Sequence, residues 1–185
     1  MILDVVIHMD AVSRQAWSGA PDARPLTELG RRQAEHIAGV LEADGVDGIF
    51  TSVAERCRQS LEPLSALTSL PVVVVEDFRD TAGYRAPAGW ESPEGAAAHP
   101  LGGALAAGSA ARGLKRIEAA VGDGRGVLCS YGDIVPALLA FLAGANDLTV
   151  PGRSEFNEKG VVFRITVEGE MVAVTSTAPP PGFPG

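Results

Sequence analysis

The stretch VVIHMD, residues 5–10, joins a short apolar run to a single histidine near the start of the chain. The whole run, Ile2–Ile7, has the length and the β-branched character of a buried strand. His8 follows at the carboxyl end of this strand, which is where ligands bind in sheets of parallel strands. No neighbour of His8 in the sequence could activate it, so its role depends on the groups that the fold brings to it.

Downstream of this strand, apolar runs alternate with amphipathic segments. Thr27 is a good N-cap for a helix within ELGRRQAEHIAGVLEAD, residues 28–44. The other predicted elements are a strand at GIFTS (48–52), a helix over Ala54–Leu67, a buried strand in PVVVVEDF (71–78), a loop over Gly83–Ala107 with room for a short helix near Pro93–Ala98, a helix over Ala110–Val121, a strand at GVLCS (126–130), a helix over Ile134–Ala143, and a hairpin of Val161–Val167 with Met171–Ser176. This alternation predicts an α/β fold in which a mainly parallel sheet lies between two layers of helices.

Three of the predicted strands end beside residues with useful chemistry. His8 follows the first strand. The second strand ends in Thr51–Ser52, shortly before Arg56, and the fourth ends in Ser130, which precedes Tyr131 and Gly132. Because the carboxyl ends of parallel strands meet at one edge of a sheet, we expect these residues to surround one cleft. We predict one domain over residues 1–177 and a disordered Pro- and Gly-rich tail over residues 178–185.

The composition narrows the classes of partner. A net charge of −8 argues against a broad surface for nucleic acid or anionic membranes, although a local basic pocket for a small anion remains compatible with it. No apolar run is long enough to span a bilayer. Cys57 and Cys129 have no partner at metal-ligand spacing, which indicates reduced thiols in a cytoplasmic protein. We expect no metal and no cofactor, and the sequence leaves a homodimer open.

Three stretches of the chain resemble the histidine phosphatase (phosphoglycerate mutase-like) superfamily. They are AWSGAPDARPLTELGRRQAEHIA (16–38), FTSVAERCRQSLEPL (50–64) and VLCSYGDIVPALL (127–139). The resemblance is strongest to the phosphatase module fused to some bacterial Nudix hydrolases. It implies a three-layer α/β fold and a metal-free reaction, in which a strand-end histidine accepts a phosphoryl group that water then removes. It also implies a pocket in which two arginines and a second histidine bind the phosphoryl group while a carboxyl group protonates the leaving oxygen.

Part of this pocket is retained when the family pattern is carried over position by position. The resemblance assigns the nucleophile to His8, the second arginine to Arg56 and the acid to Asp80 in FRDT. Arg14 matches an arginine of the Nudix-linked module and could approach a phosphate. Other carboxylates compete for the acid role, namely Glu76, Asp77 and Glu91.

The rest of the pocket is altered. Ile7 stands where the family has its first arginine, Met9 replaces a small residue, and Tyr131 replaces the second histidine. Deleting one preorganised donor typically costs about 10²–10³ in rate, and Tyr131 can restore only a neutral hydrogen bond. The sequence therefore favours a catalytically impaired pseudo-phosphatase that binds a small phosphorylated ligand or phosphate. The alternative is a slow or specialised phosphatase that acts through a phosphohistidine at His8.

Overall fold

The structure is a computed structural model and describes residues 1–80, 98–149 and 158–185. The strands and helices within these ranges are β1 Ile2–Ile7, α1 Glu28–Glu42, β2 Gly48–Thr51, α2 Glu55–Thr68, β3 Val72–Val74, α3 Ala98–Val121, β4 Arg125–Ser130, α4 Ile134–Asn146, β5 Val162–Glu168 and β6 Met171–Thr177. Short 3₁₀ turns occupy Pro21–Ala23 and Glu76–Phe78.

The strands form a six-stranded sheet in the order β3-β2-β4-β1-β5-β6. The pairings among β1 to β4 are parallel, whereas β5 and β6 form an antiparallel hairpin beside β1. From β1 to β3 the chain crosses the sheet in one direction, and right-handed crossovers therefore place α1 and α2 on one face. From β3 to β5 it crosses in the opposite direction, which places α3 and α4 on the other face. The packing of α1 on α2 and of α3 on α4 agrees with this arrangement. The predicted three-layer α/β fold is confirmed.

A charged cluster crosses the sheet at β1. The carboxylate of Asp4 is fully buried, and its Oδ2 accepts a hydrogen bond from Nε of Arg125 at 2.8 Å. Nε of Arg164 donates to Oδ1 of Asp4 at 2.7 Å. Arg125 also donates to the backbone oxygens of Leu41 and Gly45 at 3.0 and 2.9 Å, which ties β4 to the end of α1. This network satisfies a buried carboxylate that would otherwise destabilise the central strand.

Two sequence predictions need correction in the middle of the chain. The run at residues 71–78 forms only a three-residue strand, β3, at the edge of the sheet, where Val73 and Val74 are 46% and 50% exposed. β-Branched residues indicate a strand but not its position in a sheet. The helix α3 begins at Ala98, so residues 98–107 are helical and not a loop. Its alanines favour a helix, and a Cβ at Gly103 would meet nothing within 4 Å. The short helix predicted near Pro93–Ala98 lies outside the described residues, except for Ala98 itself.

The Pro- and Gly-rich tail packs on α1, in contrast to the disorder expected for residues 178–185. The ring of Phe183 meets His36 edge-on, with 5.8 Å between ring centroids. Nε2 of Gln33 donates to the backbone oxygen of Pro184 at 2.8 Å. One aromatic ring and one backbone acceptor thus hold a segment whose composition alone indicates disorder.

Candidate active site

The segment that carries His8 is fastened by side chains of both helices on one face of the sheet. The backbone N–H of Met9 donates to Oγ of Ser60 at 3.0 Å, and that of Asp10 donates to Oε1 of Gln33 at 2.9 Å. Gln33 and Ser60 belong to the stretches 16–38 and 50–64, which carry the family resemblance. These motif residues therefore fix the backbone after β1 and do not contact a reacting group themselves.

Helix α1 approaches the same segment too closely for any residue larger than glycine at its first turn. A Cβ at Gly30 would lie 1.9 Å from the backbone oxygen of Asp10. Thr27 caps the helix by accepting from the N–H of Gly30 at 3.0 Å, and its hydroxyl donates to Oδ2 of Asp10 at 2.5 Å. The predicted N-cap is confirmed, and it also anchors the loop behind His8.

A cavity of about 470 Å³ opens at the carboxyl ends of β1 and β4. Four residues that the sequence predicts for the site line this cavity, namely His8, Arg14, Arg56 and Tyr131. The remaining lining residues are Ile7, Gly132, Asp133 and Lys159. The structure thus brings His8, Arg56 and Tyr131 to one cavity, as the strand ends predict. Thr51, Ser52 and Ser130 are buried and do not line it. Of the predicted site residues, Asp80 does not line this cavity; it lines a neighbouring groove between β3 and α3.

His8 is held as a neutral imidazole. Its Nδ1 lies 2.8 Å from the backbone oxygen of Met9. A carbonyl oxygen only accepts hydrogen bonds, so Nδ1 carries the proton and Nε2 keeps its lone pair. Burial lowers the pKa of His8 to about 3, with a further contribution from the positive charge of Lys159. At neutral pH the ring is therefore neutral, with its proton on Nδ1 and a free lone pair on Nε2.

Arg56 and Tyr131 form a stacked pair on the wall of the cavity. The guanidinium carbon of Arg56 lies 4.8 Å from the centroid of the Tyr131 ring. Nη1 of Arg56 donates to the backbone oxygen of Pro21 at 3.0 Å, while its buried Nε has no hydrogen-bond partner among the residues that the structure describes. The Tyr131 hydroxyl lies 3.5 Å from Oδ1 of Asp22, and burial raises its pKa to about 12. Tyr131 thus orients the arginine with its ring and is a poor proton donor.

Two cavity residues were not singled out from the sequence. Lys159, just before β5, donates from Nζ to the backbone oxygen of His8 at 2.5 Å. Asp133 follows Tyr131 and Gly132, and burial together with the nearby charge of Asp80 raises its pKa. No sequence signal pointed to Lys159, because the pairing of β5 with β1 that brings it to the cavity is visible only in the structure. For Asp133 the signal is its place two residues after the altered family histidine.

Neither a metal centre nor a membrane segment is found in the part of the chain that the structure describes. There, no three His, Cys, Asp or Glu side chains are grouped as metal ligands. No helix within the same ranges combines the length and apolar character needed to cross a bilayer. The cavity is instead lined by one imidazole, one carboxylate and three cationic side chains.

The chain is similar in sequence to one phosphatase and in fold to two proteins of known structure. The chain is 27% identical over 182 residues to an 8-oxo-(d)GTP phosphatase of Mycolicibacterium smegmatis, covering 95% of this chain and 48% of the relative. This chain therefore spans about half the length of that protein. Bacillus stearothermophilus YhfR has a TM-score of 0.69 at 17% identity, with 94% of each chain covered. The mycobacterial glucosyl-3-phosphoglycerate phosphatase Rv2419c in complex with VO3 has a TM-score of 0.65 at 16% identity, with 96% of this chain and 98% of that chain covered. At these identities the two structures show a shared fold.

The family model gives the assignment. It is the histidine phosphatase superfamily (branch 1), and it matches residues 10–154, which is most of the chain. The match begins immediately after Ile7-His8-Met9, where this sequence departs from the family pattern. This protein belongs to the histidine phosphatase superfamily.

Proposed function

We propose that this protein is a phosphatase that hydrolyses a small phosphorylated metabolite through a phosphohistidine at His8. The observation that carries the proposal is the state of that ring. Its Nδ1–H is bound to the oxygen of Met9, and burial lowers its pKa to about 3. A lone pair is therefore available on Nε2 over the whole neutral range, without a separate base.

The reaction would proceed in two displacements on phosphorus. Nε2 of His8 attacks, the P–N bond forms, and the bond to the leaving oxygen breaks. Water then attacks phosphorus and gives a proton to the carboxylate that remains after a carboxylic acid has protonated the leaving oxygen, the P–N bond breaks, and phosphate leaves with the imidazole restored. Arg56 supports the charge on the phosphoryl oxygens, because its guanidinium group lines the cavity together with His8.

A carboxylic acid must protonate the leaving oxygen in the first displacement. The resemblance assigns this role to Asp80. Asp133 is a second candidate, because it lines the cavity and its pKa is raised by burial and by the charge of Asp80. A raised pKa keeps more of a carboxyl group protonated at neutral pH. We propose that the two acids act as a coupled pair, in which Asp80 raises the pKa and Asp133 delivers the proton.

The competing hypothesis is a pseudo-phosphatase that binds its ligand without turnover. Ile7 is 7% exposed and offers no donor, and Tyr131 has a ring stacked on Arg56 where the family has a histidine. Met9 is fully buried, so it does not crowd the open side of the cavity. The two hypotheses share the ligand class, a phosphorylated small molecule, and differ only in whether the P–O bond breaks.

The deciding experiment measures phosphate release from a chromogenic aryl phosphate and from a panel of metabolites. The panel includes nucleoside triphosphates, because one relative is an 8-oxo-(d)GTP phosphatase. Wild type is compared with His8→Ala and with the matched control His36→Ala, whose ring packs on Phe183 away from the cavity. We expect turnover in wild type and in the control, none above background in His8→Ala, and an alkali-stable phosphoryl group on His8 by mass spectrometry. A folded wild type without turnover on any substrate would favour the pseudo-phosphatase.

Three further statements belong to this proposal. We propose that the protein acts in the cytoplasm, which fits two buried cysteines without a disulfide. We propose no nucleic-acid partner, in keeping with the net charge of −8. A homodimer stays a prediction for sedimentation measurements.

A further inference from the structure

We infer that Lys159 is a phosphate-binding residue of this site and supplies the positive charge that Ile7 does not. The inference rests on the proposed function for the identity of the ligand. Lys159 lies just before β5, outside the positions that were matched to the family pattern in the sequence.

The fold delivers Lys159 to the site through the register of two strands. β5 pairs antiparallel with β1, and the pairing ends with Val6 opposite Val162. Beyond this pair, the segment after β1 continues to His8, and the segment that precedes β5 leads back to Lys159. The two residues meet beyond the end of the sheet, where Nζ of Lys159 donates to the backbone oxygen of His8 at 2.5 Å.

The ammonium of Lys159 keeps donors for a ligand. An ammonium group has three N–H donors, and the structure shows one of them spent on the oxygen of His8. Within residues 1–80, 98–149 and 158–185, Lys159 forms no ion pair. Burial lowers the pKa of its ammonium group. Lys159 is half-buried, and a partly desolvated cation is stabilised when an anion completes its shell of hydrogen-bond partners. The cavity that it lines is where that anion would sit.

The charge around the cavity agrees with an anionic ligand. Three cationic side chains line it, from Arg14, Arg56 and Lys159, against the single carboxylate of Asp133. This local excess of positive charge stands out on a protein whose net charge is −8. Electrostatic support for a phosphoryl group depends on cations near its oxygens and not on the strand from which they come.

The test uses inorganic phosphate and the fact that the chain has two lysines, Lys115 and Lys159. Calorimetry compares wild type with Lys159→Met, Lys159→Arg and the matched control Lys115→Met, whose lysine is exposed on α3. Losing one charge-assisted hydrogen bond should weaken phosphate binding by about 10- to 100-fold in Lys159→Met. Lys159→Arg should retain most of the affinity, and Lys115→Met all of it.

A second measurement needs no substitution at the site. In protein labelled with ¹³C-lysine, the two side chains give two ε-CH₂ signals, assigned with Lys115→Met. Phosphate should move the Lys159 signal with the same Kd that calorimetry reports and leave that of Lys115 in place. A stationary Lys159 signal at saturation, unchanged affinity in a folded Lys159→Met, or no phosphate binding by wild type would overturn the inference. Phosphate binding that depends on Lys159 without any turnover would uphold it while the proposed function fails.

Discussion

Acid should destabilise this protein through His8 by an amount that can be worked out in advance. Burial and the charge of Lys159 lower the pKa of His8 to about 3 in the folded state. In the unfolded chain the pKa returns to about 6.5. Between these two values the unfolded state binds more protons than the folded state, so the free energy of unfolding falls as the pH falls. The contribution of neutral His8 to the free energy of unfolding is therefore fully present above the pKa of the unfolded state and is lost as the pH falls below it.

The expected loss follows from linkage. Each pH unit between the two pKa values costs about 1.4 kcal/mol. From about pH 7.5 to about pH 5 this integrates to roughly 2 kcal/mol, since the unfolded histidine is almost fully protonated at the lower pH. Any folded-state pKa below about 4 gives nearly the same loss at that pH. The prediction therefore tests whether His8 is neutral and desolvated.

The assay is urea unfolding of wild type and His8→Asn at the two pH values. Asparagine can still donate from its amide to the oxygen of Met9 but cannot titrate. Other groups contribute to both proteins alike, so the difference between the two pH dependences isolates His8. We expect wild type to lose about 2 kcal/mol more than the variant. Equal losses would mean that folded His8 accepts a proton as readily as an unfolded one, and the neutral, desolvated state of its ring would then be refuted.

Two substitutions test the scaffold. Asp4→Asn leaves Arg125 and Arg164 without their carboxylate, and we expect urea unfolding to show a loss of about 3–5 kcal/mol; wild-type stability would show that water can replace that carboxylate. Gly30→Ala places a carbon 1.9 Å from a backbone oxygen and should lower the melting temperature sharply, whereas Gly39→Ala, with nothing within 4 Å in the same helix, should melt at or above wild type. Equal melting temperatures for the two alanine variants would contradict the close packing of α1 on the His8 segment.

The fold was largely predictable because the sequence patterns are local. Alternating strands and helices dictate the parallel sheet, and the handedness of the crossovers then assigns each helix to a face. The errors arose where local composition says nothing about tertiary position. The valines of β3 indicate a strand but cannot show that it lies at the sheet edge. The tail residue Phe183 is ordered by His36, a partner more than a hundred positions away in the sequence.

The motif residues divide in a way that the sequence could not show. Gln33 and Ser60 are as recognisable in the pattern as Arg56, yet they bind backbone groups behind His8, whereas Arg56 lines the cavity. The spacing of these residues in the sequence shows that they belong to the same motifs, but not which of them contact the cavity. Only the contacts seen in the structure separate a residue that positions the backbone beside His8 from one that lines the cavity.

The altered pocket illustrates a limit of comparing positions one at a time. Such a comparison counts Ile7 as a lost charge, because an arginine is expected there, and it assigns no value to Lys159. The electrostatic energy of a phosphoryl group depends instead on the distance of each cation and on the local dielectric. A unit charge at about 4 Å contributes about 4 kcal/mol at an effective dielectric constant near 20. A cation from the β5 side of the sheet can therefore offset much of what Ile7 removes, provided that its ammonium reaches the same oxygens. For this reason, the loss of one motif residue is weak evidence that the protein is a pseudoenzyme. The affinity for phosphate depends instead on all the charges around His8, and binding measurements will report their combined effect.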